Sequence, residues 1–399
     1  MMTFKHIFIA GLAILSSGIS VNAQRTGFQW TTNWVKKGEV PVSVWNGGLR
    51  DAGAFNGKLY ANYTTDKQLY IWDENGNLTK VDSGSLGTAT STDGAGNVLI
   101  TEAFNNNGEM NSLLIYDSRK PEGQQFSKVA ITLPAGVTAG RMDIMGHAVG
   151  DVMSATGGAI FLCGNGNTKV AKIFIANGQQ VVEKSKAIET DITFDAITLA
   201  QPLTDDPESD EIAVRVRGNR GFYYQTNGKW VEYARAGQVS TSSGGDVVTL
   251  AGVLFTIEPA MFGDTTYLDG FQIVDRSNNE VVVNGEEGTV RNTSFYGTIL
   301  TAEKIADDRA YIYNAHPGEN AERYMLIIET SGIEGVANKA FTVSGGNGRI
   351  SVMGQAESVS IYNICGQAIA VNSPAKTFDV AKGIYIVTVD GKTTKVMVR

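Results

Sequence analysis

The chain has 399 residues with 33 basic and 41 acidic side chains, a formal net charge of −8, and 42% apolar residues, enough for a packed core. Charged residues reach only 19% while Gly numbers 46 and Pro 8, which excludes a disordered chain and a coiled coil and favours strands joined by Gly turns. So acidic a surface excludes nucleic acid as a partner.

Residues 1–23 carry Lys5 and His6 near the start, an apolar run over 7–15, and then small residues with Val21 and Ala23 ahead of Gln24. This is the pattern of a secretory signal peptide cleaved after Ala23. No Cys follows it to accept a lipid anchor. No later run approaches the roughly 20 apolar residues of a spanning helix, so no membrane span is expected.

From there a short pattern recurs six times: alternating apolar or aromatic residues, a polar residue, then a turn. The copies lie at 69–77, 113–123, 172–179, 222–229, 271–279 and 325–332. They align on Asp73, Asp117, Ala176, Gln225, Asp275 and Glu329, spaced 44 to 59 residues apart. A second alternating segment precedes each copy, for example 59–63, 212–218 and 310–315, and a strand rich in small residues precedes that, such as 51–55 or 246–251. The first five copies run on into a fourth strand, as at 78–82 and 229–233. Four antiparallel strands per repeat and no helical periodicity predict an all-β fold: a six-bladed β-propeller over 24–335, followed by a small C-terminal β-sandwich over 336–399. The sixth copy has no fourth strand, while 28–34 is an orphan strand, so the N-terminal segment is expected to complete blade six, with Trp30 and Trp34 in the core. Trp72-Asp73 resembles the signature of WD repeats, but no other copy has a Trp there, so no scaffold role follows from it.

The tail differs in charge, with seven basic and three acidic residues over 336–399. It reads Ile361-Tyr362-Asn363-Ile364-Cys365-Gly366-Gln367, then Gly383-Ile384-Tyr385-Ile386-Val387-Thr388-Val389, and ends Lys395-Val396-Met397-Val398-Arg399. In order and placement these segments resemble the C-terminal sorting domain of the type IX secretion system. The resemblance covers about a sixth of the chain and implies transport to the cell surface or the medium, with the secretion machinery as a partner of the tail; the alternative address for the exported chain is the periplasm. An immunoglobulin-like module is the other reading of the same strands, and Cys365 departs from the family pattern. Cys163 and Cys365 are the only cysteines and are expected as free buried thiols.

Propeller ligands gather where the innermost strands begin. At that position stand Asp51, Asp151, Asp195 and Asp246, which either ring the channel mouth, able to hold Ca²⁺ or sugar hydroxyls, or accept backbone N–H groups and lock blade to blade. Repetition once per blade favours the backbone role. The expected ligand-binding set is Arg50, Asp51, Glu102, Asp151, Arg217, Asp246 and His316 as polar contacts, with Phe104 and Phe262 as apolar platforms; the ligand is an extracellular carbohydrate or protein. Catalytic motifs are absent: there is no G-x-S-x-G, H-E-x-x-H or phosphate loop, and His147 and His316 are read as structural. The alternative is a Ca²⁺-assisted hydrolase or lactonase with Asp51, Asp151, Asp195 and Asp246 on the ion and Glu258 or His316 as base. Asp73-Glu74-Asn75-Gly76-Asn77 is read as a hairpin turn and not as a calcium loop.

Overall fold

The computed structural model describes residues 24–41, 48–102, 112–138, 140–195, 197–216, 221–236, 244–260, 270–285, 299–331, 341–346, 348–354, 358–363, 366–390 and 392–398. These residues form strands and one short 3₁₀ turn, Val182–Lys184, with no α-helix among them, so the protein is all-β. The chain divides into two compact units, Phe28–Ile327 and a second containing Ile328–Arg399.

The first strand is β1 (Gln24–Lys37). Sheet 1 follows with β2 (Gly53–Phe55), β3 (Lys58–Tyr63), β4 (Gln68–Trp72) and β5 (Leu78–Asp82), and sheet 2 with β6 (Thr90–Thr92), β7 (Val98–Thr101), β8 (Ser112–Tyr116) and β9 (Phe126–Ala130). Sheet 3 holds β10 (Val149–Asp151), β11 (Gly157–Leu162) and β12 (Lys169–Ala176), the last pairing with both β13 (Gln179–Gln180) and β14 (Lys186–Glu189). Sheet 4 holds β15 (Leu199–Pro202), β16 (Ile212–Arg215), β17 (Phe222–Thr226) and β18 (Lys229–Glu232). Sheet 5 holds β19 (Asp246–Leu250), β20 (Val253–Ala260), β21 (Gly270–Asp275) and β22 (Glu280–Gly285). Sheet 6 holds β23 (Ile299–Ala306), β24 (Arg309–Ala315) and β25 (Asn320–Ser331), and β1 closes its outer edge in the order β1-β25-β24-β23.

Each sheet packs on the next, and the last packs on the first. Tyr60 and Leu69 of sheet 1 share a core with Val98 and Ile100 of sheet 2, Leu99 and Leu113 with Ile160 and Ile173 of sheet 3, and Phe161 with Val214 of sheet 4. Ala213 meets Val247 across sheets 4 and 5, β19 meets β23, and Leu59 and Trp72 meet Ile299 and Tyr313, which brings sheet 6 back to sheet 1. Sheets that close in a circle through their own side chains are the arrangement of a β-propeller.

Small residues on the innermost strands have the packing reason expected of them: a Cβ on Gly53 of β2 would stand 2.5 Å from the carbonyl carbon of Ser91 in the next sheet. The closing strand brings aromatic rings. Trp30 stacks on Tyr324 at 4.8 Å and meets Phe271 of sheet 5 edge-on, and Trp34 is buried beside Tyr313.

One turn recurs with one sequence. In Asp73-x-x-Gly76-Asn77 the Asp73 carboxylate accepts the N–H groups of Asn75 and Asn77, both at 2.8 Å, and Gly76 takes a φ of +75°, which only glycine adopts freely. Asp93-x-x-Gly96-Asn97 repeats it, with Ala95 and Asn97 N–H groups on Asp93 at 3.0 and 2.8 Å. The hairpin reading of 73–77 therefore holds.

In the second unit, β26 (Phe341–Gly346), β27 (Arg349–Gly354) and β30 (Thr377–Asp379) form one sheet, and β28 (Val359–Asn363), β29 (Ala368–Ser373), β31 (Gly383–Val389) and β32 (Lys392–Val398) the other. Ile350 and Val352 of the first share one apolar cluster with Val359, Ile361, Val387, Val389 and Val396 of the second. Asn363-x-x-Gly366-Gln367 uses the same turn logic: the Asn363 side chain accepts Gln367 N–H at 2.9 Å and donates to the Gln367 side chain at 2.7 Å. Cys365 lies outside the described residues; Cys163 is a free, buried thiol whose pKa burial pushes up.

Candidate functional site

Between β9 and β10 runs the longest connector between described strands of the first unit, residues 131–148. Its last part, 141–148, has no regular structure, yet Met142, Asp143, Ile144 and Met145 are buried. Backbone without a ladder must find partners elsewhere when water is excluded. It finds them on four different sheets or their connectors. Arg50, just ahead of β2, pairs with Asp143, and Arg141 binds the same carboxylate. Met145 N–H donates to Asp51 at 2.6 Å, Ser91 Oγ of β6 donates to Gly146 O at 2.7 Å, and His147 N–H donates to Gln201 Oε1 of β15 at 2.8 Å. The His147 ring then reaches Asp246 of β19, Nε2 to Oδ2 at 2.7 Å. A segment that touches sheets 1, 2, 4 and 5 crosses the axis around which they are arranged. We call it the strap.

On the far side of the strap lies a cavity of about 780 Å³. All six innermost strands, or the turns that follow them, contribute to its wall. The apolar part includes Phe55, Val149, Leu203 and Val248, and the charged part is Asp93, His147, Asp151, Asp205, Glu303 and Lys304. Gly94, Asp205 and Lys304 are exposed at its rim, whereas His147 and Ala148 of the strap form its inner end. The His147 side chain keeps 23% of its surface exposed, while Asp246 behind it has none.

Burial disfavours the imidazolium of His147, but the Asp246 carboxylate and the hydrogen bond to it, with Glu303 adding to the field, outweigh burial and raise its pKa. Burial raises Asp93 against hydrogen bonds from Asn97, Val152 and Ala95. Glu303 accepts Gly57 N–H at 3.0 Å and Tyr313 O–H at 2.9 Å, and Lys304 pairs with Asp307 at 3.0 Å.

The four aspartates expected to ring the channel are not equivalent. Asp51 stands two residues ahead of β2, Asp246 opens β19, Asp195 precedes β15 by four residues, and Asp151 ends β10 where it was expected to begin it. Three-residue innermost strands contain too few alternations to define their register from sequence. Asp51 accepts N–H from Ala52, Thr90 and Met145, and Asp246 from Val247 and Ala302, each thereby tying its sheet to the next. Asp195 caps Ile197 and Thr198, and Asp151 accepts Met153 N–H and Asn97 Nδ2 at 2.9 and 3.1 Å. Among the described residues no group of three or more His, Cys, Asp or Glu is placed to hold a metal ion.

Of the remaining expected contacts, Arg50 is buried on Asp143, Glu102 binds Ser112 Oγ at 3.0 Å and pairs with Lys128, and His316 is buried against Asn314 Nδ2 at 2.8 Å. Glu258 is buried in an ion pair with Arg276. Phe104, Arg217 and Phe262 lie outside the described residues. Among the described residues of the expected set, only Asp151 lines the cavity. The site faces the turns that follow the innermost strands and not the end where those strands begin, because the strap fills that other end. His147, Glu303 and Asp205 were not expected there; the length of the connector at 131–148 was the signal for the first.

A family model described as a domain of unknown function, DUF6383, matches residues 330–398. No curated protein sequence matches the chain. Among solved structures the chain is similar to a DUF4623 family protein from Bacteroides eggerthii, with 11% identity, a TM-score of 0.54, and coverage of 77% of this chain and 78% of that one. It also aligns with virginiamycin B lyase from Staphylococcus aureus, at 11% identity, a TM-score of 0.40 and coverage of 75% and 100%. The PQQ-bound aldose sugar dehydrogenase from Streptomyces coelicolor gives 11% identity, a TM-score of 0.43 and coverage of 76% and 100%. The first of these is a likeness of fold alone, and the argument for function rests on the site. No helix among the described residues is long and apolar enough to cross a membrane.

Proposed function

We propose that residues 24–335 form a six-bladed β-propeller that binds an extracellular carbohydrate in its axial cavity. The observation that carries the proposal is the cavity itself: about 780 Å³, apolar on Phe55, Leu203 and Val248, and charged on His147, Asp151, Asp205 and Glu303. That volume is within the range of about 300 to 1,000 Å³ typical of small-molecule sites. Carboxylates that accept hydroxyl hydrogens, an imidazole that donates, and apolar surface for a ring face are what a sugar requires. A protein ligand, the other expectation, would engage the rim alone.

Calorimetric titration with an oligosaccharide panel tests the proposal. Binding that Val248→Trp, which fills the cavity, abolishes without lowering the melting temperature supports it; saccharide binding unaffected by Val248→Trp moves the site elsewhere.

We further propose that the chain is exported through residues 1–23, and that residues 336–399 are a small β-sandwich that sorts it to the cell surface or the medium by the type IX route. The I-Y-N-x-x-G-Q and G-x-Y-x-V-x-V segments support this, since both lie at defined turns and strands of the second unit. Removing 336–399 in a host with that pathway should retain the protein in the periplasm, and unchanged delivery of the truncated chain refutes the sorting role.

A further inference from the structure

Resting on the carbohydrate reading, we infer that the cavity receives the end of a saccharide chain and not its interior. The strap makes the cavity blind. Arg50 and Arg141 on Asp143, Met145 on Asp51, Gly146 on Ser91, and His147 on Gln201 and Asp246 anchor it from one side of the axis to the other. It has no slack at its centre: a Cβ on Gly146 would stand 2.0 Å from the carbonyl oxygen of Ala200.

A chain bound through its interior must leave the site in both directions, along a groove or through a channel. A cavity walled by the innermost strands and their turns, with His147 and Ala148 of the strap at its inner end, is entered past the exposed Gly94, Asp205 and Lys304, so a terminal unit is what reaches His147. The charged groups are graded in the same sense. At the floor His147 is held by a fully buried partner, Asp246, whereas Asp205 and Lys304 stand exposed at the mouth, where the next units of the chain would lie. Discrimination thus falls on the terminal unit, and the rim is permissive.

The experiment compares polysaccharides with their own fragments. Dextran, mannan, xylan and hyaluronan are each offered to the full chain intact and after partial acid hydrolysis, at equal mass, with bound protein measured by competition against an immobilised hydrolysate. The expected result is that, for whichever polymer binds, inhibition rises in proportion to the number of chain ends, several-fold on hydrolysis. Ala95→Trp, on the half-exposed turn that borders the mouth, should remove that binding while the melting temperature is kept. Equal inhibition by intact and hydrolysed polymer overturns the inference and leaves the carbohydrate reading standing. Absence of binding to every polymer and hydrolysate overturns the carbohydrate reading, and the inference with it.

Discussion

Asp246 serves three partners at once: the N–H groups of Val247 and Ala302 and the Nε2 of His147. The bond to Val247 stays within β19, the bond from Ala302 ties sheet 5 to sheet 6, and the third ties both to the strap. Because the Asp246 charge raises the His147 pKa above its ordinary 6.5, the protonated ring stabilises the fold. That contribution is complete below pH 6.5 and is lost as pH rises through the folded value. Urea midpoints of the wild type and His147→Gln should therefore differ most near pH 6 and converge by pH 9; a gap that is constant or widens with pH refutes the linkage. Asp51 differs in kind. Burial pushes its pKa well up, while N–H groups of Met145, Thr90 and Ala52 hold it down. Asp51→Ala leaves those donors without their acceptor in a dry site, at a cost of roughly 2 to 4 kcal/mol, to be read from denaturant unfolding. Loss of less than about 0.5 kcal/mol would show that water replaces the carboxylate.

Strands two and three of each sheet were legible because they are long enough for their alternation to be counted: of the six alignment residues, five of them polar, Asp73, Asp117, Ala176 and Asp275 stand at or just beyond the ends of β4, β8, β12 and β21, Gln225 one residue inside the end of β17, and Glu329 within β25. The innermost strands were not, as the misplaced start at Asp151 shows, and β14 was missed because β12 is long enough to pair twice along its outer edge. The closing strand was legible from an imbalance, an orphan strand at one end and a missing one at the other. What it contributes is local and testable. Trp34 of β1 packs on Tyr313 and beneath the Arg323 guanidinium, 5.8 Å from its ring, and Gly76 of sheet 1 lies against it. Trp34→Ala removes a buried ring where sheets 6 and 1 meet and should cost about 3 to 5 kcal/mol. The measurement is chemical unfolding with the slope monitored, and a change under about 1 kcal/mol would mean that β1 does not hold the circle closed.

At the scale of the molecule, the site depends on one long-range fact that no local pattern encodes: a connector from between sheets 2 and 3 crosses to sheets 4 and 5. Single residues in it looked ordinary, His147 included, since their partners Asp51, Gln201 and Asp246 are 54 to 99 residues away. The same fact bears on calcium. A cation site needs several oxygen ligands converging at about 2.3 to 2.6 Å with their lone pairs free. Asp51 and Asp246 instead spend theirs on backbone N–H groups and on His147, and Asp195 on its own turn. Chelation should then leave the protein as it was: the melting temperature in EDTA should match that in millimolar Ca²⁺ within a degree, because nothing that binds only the folded state is removed. A rise of several degrees with Ca²⁺, reversed by EDTA and lost in Asp151→Asn, would instead restore an ion at the axis and with it the hydrolase alternative.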